Sequence, residues 1–201
     1  MATEVYLEVG TKKVFACAVD WAGWTRAGKT EEGALDALTE YADRYRVVSD
    51  RAGFRFAKNH RFDVVERVKG NATTDFGAPG VPPKLDAGPL TKAEAARMTK
   101  LVEASWWTLD RVVKGAPAKL RKGPRGGGRD RDKMVDHVRE AEKAYAAKLG
   151  IPPKERDRET IATALQTAVG PGDWKWPPAY AARRIAWHVL DHAWEIEDKS
   201  D

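Results

Sequence analysis

The apolar residues of this chain fall into two patterns, and the difference limits the fold more than any other feature. Ahead of Gly70 stand short apolar runs rich in β-branched and aromatic residues, VYLEV (5–9), VFACAV (14–19) and FDVVERV (62–68), with one helical stripe among them; beyond Pro89 the apolar residues recur every three or four positions. Short runs of the first kind read as strands, whereas a 3.6-residue period builds a stripe along a helix. Between the two regimes lies GNATTDFGAPGVPPKLDAGP (70–89), whose glycines and prolines predict an irregular connection, with Phe76 packing part of it down. The chain therefore reads as α+β: a small α+β domain over 1–70, a linker over 71–90, and a helical domain over 91–201.

In the first half, residues 5–9 and 14–19 form a hairpin around GTKK, and DWAGW and AGK follow as loop. Thr30 then stands as an N-cap before Glu31 and Glu32, whose charges suit the first turn of a helix. That helix is expected from 31 to about 45, with Ala34, Leu35, Leu38, Tyr41 and Ala42 on one face. FDVVERV (62–68) is a further strand. The second half holds four helices. Thr91 and Glu94 form a capping box for the first, which carries Met98, Leu101, Val102, Trp106, Leu109 and Val113 and closes at Gly115. The second runs from about 130 to 149 with Met134, Val138, Ala141 and Tyr145 inward. The third starts at Pro153, carries Ile161 and Leu165, and stops at Gly170 and Pro171. The fourth follows Pro177 and Pro178 and continues to about 198. These lengths fit a four-helix bundle.

Composition narrows the function classes. A chain of 201 residues can bury a full core. Charges interrupt every apolar segment, so no membrane span is expected, and MATEVYLEVGTKK lacks the apolar stretch of a secretory signal. A single cysteine, Cys17, excludes an internal disulfide and reads as a small core residue of a strand. The expectation is a soluble cytoplasmic protein. Its net charge of +5 is concentrated in residues 114–133, which hold eight Lys or Arg against two Asp. The aromatics lie elsewhere, which disfavours a nucleic-acid partner.

Histidine is the informative residue type, because the chain has only four. In AWHVLDHAWEIED (186–198), His188 and His192 sit one turn apart on the stripe of Ile185, Val189 and Ile196. His137 lies between Met134 and Val138 on the inward stripe of the second helix. Imidazoles buried together need partners for their nitrogens and repel one another if protonated. A divalent metal, zinc or nickel, resolves both problems by taking one neutral nitrogen from each. Three protein ligands also leave the open position found in catalytic sites. The plainer reading is three packed histidines, each bonded to a carboxylate or a carbonyl. His60, in KNHRF, reads as an exposed loop residue.

Asp136, Glu140, Asp191 and Glu195 flank the ligand candidates, with Glu195 the choice for a general base or for a carboxylate that orients an imidazole. Trp174, Trp176, Trp187 and Trp194 are candidates for pocket walls. Arg121, Lys122, Arg125 and Arg129 precede the helix of His137, and Arg125 and Arg129 above all suit an anionic cosubstrate. GPRGGGR lacks the GK[ST] ending of a phosphate-binding loop.

DKMVDHVREAEKAY followed by RRIAWHVLDHAWEIED resembles the DinB-like superfamily of metal-binding four-helix bundles over about residues 91–198. The resemblance implies a divalent metal on His137, His188 and His192, and transfer of a low-molecular-weight thiol to an electrophile, with metal-assisted hydrolysis as the next reaction. VFACAVDWAGWTRAGKTEEGALDAL is similar to the HicB-like antitoxin fold through Gly23, Gly28, Thr30 and the Glu31–Glu32 pair. It departs from that pattern with Val19 where Pro precedes the Asp, and lacks the DNA-binding segment. This second resemblance implies a β-β-α unit, and it defines the alternative function: a regulatory or interaction module in which the metal only stiffens the bundle. A homodimer is compatible with either.

Overall fold

The computed structural model describes residues 2–58, 60–123, 127–170 and 172–200. β1 (Thr3–Val9) and β2 (Val14–Ala18) form the hairpin predicted around the Gly10 turn, pairing antiparallel with Tyr6 opposite Cys17. Two more strands complete a mixed sheet in the order β3-β2-β1-β4. β4 (Phe62–Lys69) runs parallel to β1, with a register shift between Val5 and Tyr6. β3 (Thr25–Gly28) occupies residues expected to be loop; its four residues are too short for a visible alternation, and pairing with β2 creates the strand.

α1 (Glu31–Glu40) begins where expected, with the Thr30 hydroxyl accepting from the Gly33 amide at 3.0 Å. It does not continue to 45. Tyr41 leaves helical geometry at φ −88°, ψ 2°, and a separate helix, α2 (Ala42–Arg51), follows. Both pack on the face of the sheet carrying Val5, Leu7, Val14, Ala16 and Ala18.

The connection after β4 contains α3 (Ala72–Phe76) and a 3-10 turn at Lys84–Asp86. Phe76 does not pack it down, since that side chain is 89% exposed. Polar groups anchor the segment instead. Buried Glu8 accepts from the Gly80 amide at 2.8 Å, the Val81 amide at 3.1 Å and the Thr74 hydroxyl. Asp86 forms a buried ion pair with Arg183.

α4 (Lys92–Gly115) has the Thr91–Glu94 capping box at its start. α5 (Arg131–Ala146) runs on through a 3-10 turn and ends at left-handed Gly150, φ +80°. Pro153 opens only a 3-10 turn; α6 (Arg158–Gln166) starts later, where the Asp157 carboxylate accepts from the Thr160 amide at 2.8 Å. α7 (Pro178–Asp198) packs with α4, α5 and α6 around Leu101, Leu109, Met134, Val138, Ile161 and Ile185. Its opposite side meets the sheet half: Leu190 and Trp194 join the apolar cluster beneath α1 and α2, and Trp187 packs on Tyr6, Phe15 and Cys17. Each large apolar side chain so buried contributes about 1.5–3 kcal/mol. Among the described residues no helix is long and apolar enough to cross a membrane.

Candidate metal centre

Two helices deliver the three histidines to one place. The 3.6-residue period sets His188 and His192 a turn apart on α7, and α5 brings His137 against them. Ring centroids are 5.1 Å apart for His137–His188, 5.0 Å for His137–His192 and 4.7 Å for His188–His192. One ligand atom from each lies within 4.8 Å of the others.

The rings differ in setting. His188 is buried, and its Nδ1 has no hydrogen-bond partner. Burial, reinforced by the neighbouring His192, Arg184, His137 and Arg129, pushes its pKa down to about 2. Burial, with Arg129 and His192 adding to it, also lowers that of His137. Both rings are therefore neutral donors at physiological pH, the state that a metal requires. The His192 side chain is 12% exposed, and its Nδ1 lies 3.0 Å from Glu195 Oε2. Glu195 Oε1 accepts from Lys199 at 2.5 Å. The His192 contact, with Lys199 adding to it, holds the Glu195 carboxyl down at about 2, so it is ionised and both of its oxygens are engaged.

These residues fit a divalent transition metal. An orphaned buried nitrogen on His188 needs a partner, and the carboxylate behind His192 fixes that ring's tautomer, leaving Nε2 as the free donor. Nitrogens bound at about 2.1 Å to one ion stand no more than about 4.2 Å apart. The present separation of up to 4.8 Å is wider than that, so binding one ion would draw the imidazoles together.

The other candidates are placed as follows. Asp191 pairs with Arg26 at 3.0 Å, Glu140 pairs with Lys143 at 2.9 Å, and Asp136 is exposed. Arg121 donates to the Asp198 carbonyl at 2.7 Å and Lys122 pairs with Asp130, so both are tied to the structure. Arg129 is exposed yet near enough to disfavour protonation of His137 and His188. Arg125 lies outside the described residues. Trp187 reaches His188, with ring centroids 6.1 Å apart, whereas Trp194 packs on Tyr41 at 5.1 Å in the sheet half. Trp176 stands behind Tyr145, 5.4 Å away, and Trp174 lines a separate cleft of about 330 Å³ with Asp86 and Pro177. His60 is not an exposed loop residue: both ring nitrogens are buried, and the ring lies 4.6 Å from Trp24 and 4.5 Å from Phe56. Cys17 is core, its thiol pushed up to about 12 chiefly by burial.

Sequence reasoning did not single out Arg184. It precedes His188 by four residues, so the helical period that joined the two α7 histidines also puts this guanidinium beside them. No family model, curated protein or solved structure matches the chain. The chemistry of the centre is carried by its own residues.

Proposed function

We propose that the chain is a divalent-metal enzyme of the DinB-like kind, in which His137, His188 and His192 hold the ion and a low-molecular-weight thiol is transferred to an electrophile. The observation that carries this reading is the convergence of three imidazoles from two helices, each offering one ligand atom within 4.8 Å of the others. An all-imidazole donor set suits zinc or nickel. When bound, such an ion supplies Lewis acidity that lowers the pKa of a water or thiol at its open position.

The chain's own residues supply the rest. Glu195 orients His192 and, with both oxygens engaged, acts as a positioning residue; a role as base requires Lys199 to release it. Tyr145, with its ring 5.7 Å from that of His188, and Trp187, 6.1 Å from it, line the cluster.

Elemental analysis of gently purified, untagged protein tests the reading, beside the His188→Ala, His192→Ala double variant. The expected result is about one equivalent of transition metal in the parent and none in the variant. Metal-dependent consumption of a low-molecular-weight thiol in the presence of a reporter electrophile is expected to follow the same pattern. A parent chain that takes up no metal, even after reloading, overturns the proposal.

A further inference from the structure

Arg184 is a buried cation that has no counter-charge among the described residues. It is 8% exposed, and its Nη1 is buried with no hydrogen-bond partner. Among the described residues it makes no ion pair, whereas its neighbour Arg183 is paired with Asp86 and donates to the Val19 carbonyl at 2.9 Å. The guanidinium carbon of Arg184 lies 5.0 Å from the Tyr145 ring centre and 4.6 Å from that of Trp187. Cation–π contact with two rings offsets part of the cost of burial, but it leaves a hydrogen-bond donor unused.

Glu8, Glu195 and Asp191 are already occupied. Glu8 feels the charge of Arg184, yet its oxygens are taken by Thr74, Gly80 and Val81. Glu195 is engaged by His192 and Lys199, and Asp191 by Arg26. Tyr145 is the wall shared by the two features, close to Arg184 on one side and to His188 on the other. Arg184 and Arg129 both act on His188 as positive neighbours. A divalent ion on the histidines would add two further charges to a region with no free carboxylate among these residues. Such a centre attracts an anion, and the guanidinium is the donor best suited to a carboxylate.

We infer that Arg184 is the seat of a ligand carboxylate beside the histidine cluster, and that the small-molecule ligand of this centre is a thiol bearing that carboxylate. This inference rests on the metal-enzyme reading above for the thiol, and on Arg184 itself for the carboxylate.

Calorimetric titration of the metal-free protein with propionate and with its neutral isostere propionamide separates the two. Saturable binding is expected for propionate alone, weakened by about tenfold or more in Arg184→Gln, the value of one charge-assisted hydrogen bond. In cobalt-loaded protein, followed by its visible bands, thioglycolate is expected to bind in preference to mercaptoacetamide, and Arg184→Gln to reduce that preference about tenfold while cobalt stoichiometry stays unchanged. Absence of carboxylate-specific binding in the wild-type protein overturns the inference, as does undiminished binding in Arg184→Gln. If that variant does not fold, the wild-type comparison of propionate with propionamide decides alone. Failure to take up cobalt overturns the metal reading and leaves the propionate result to judge Arg184.

Discussion

Different neighbours fix the state of each imidazole in the cluster. Burial keeps His188 neutral, while a carboxylate that is itself held by Lys199 orients His192. Glu195→Gln is therefore expected to weaken metal binding by about 10–100-fold with an unchanged circular dichroism spectrum, as read by competition with a chelating dye. An affinity within twofold of the parent would contradict the orienting role. Glu8 provides the pH-linked counterpart away from the site. Burial raises its carboxyl above the ordinary carboxylate value, against the opposing hydrogen bonds. The folded chain thus holds that proton more tightly than the unfolded chain, and Glu8's contribution to stability is full below the unfolded value and declines as pH rises through the folded one. Urea denaturation across about pH 4–8 is expected to show that decline in the parent and a flatter profile in Glu8→Gln. The alignment of His188 with His192 was legible from spacing because a helix converts a four-residue interval into one face. The charge deficit around Arg184 was not, since it depends on which acids are already engaged by groups distant in sequence.

Elements with strong local signals appear where the sequence predicts them. The capping box at Thr91 and Glu94 starts α4, and Gly150 terminates the turn after α5. α6 instead starts at the Asp157 cap, since Pro153, the predicted start, opens only a 3-10 turn. β3 had no local signal and is held by its partners. Gly28 shows how closely: a Cβ there would lie 2.3 Å from the Ala34 amide nitrogen and 2.4 Å from the Gly33 carbonyl carbon. These are backbone atoms that cannot rotate away, so Gly28→Ala is expected to cost about 1–3 kcal/mol or more in chemical denaturation. An unchanged midpoint would show that β3 and α1 separate freely.

At the scale of the whole molecule, α7 joins the two halves by being apolar on more than one side. Its histidine-bearing face turns toward α5, while Leu190 and Trp194 enter the cluster beneath α1 and α2. Gly23, at φ +94°, allows a close approach: a Cβ would meet Leu190 Cδ1 at 2.6 Å. The segment after β4 adds polar fastenings through Glu8 and Asp86. The expected outcome is one cooperative calorimetric transition for the full chain, with two separated transitions contradicting it. Asp86→Ala leaves Arg183 buried without its partner, and is expected to lower stability by about 3–5 kcal/mol.

The sequence by itself determined the α+β class, the order of the main strands and helices, and the alignment of His188 with His192, because each follows from periodicity and capping within a few turns of chain. Only the tertiary structure decided that β3 exists, that Phe76 faces solvent while Glu8 and Asp86 hold the connection, that His60 lies among aromatics, and that Arg184 is buried without an ion-pair partner among the described residues. Those outcomes depend on contacts between residues far apart in the chain, where burial and the competition for partners decide which side chain is satisfied and which is not.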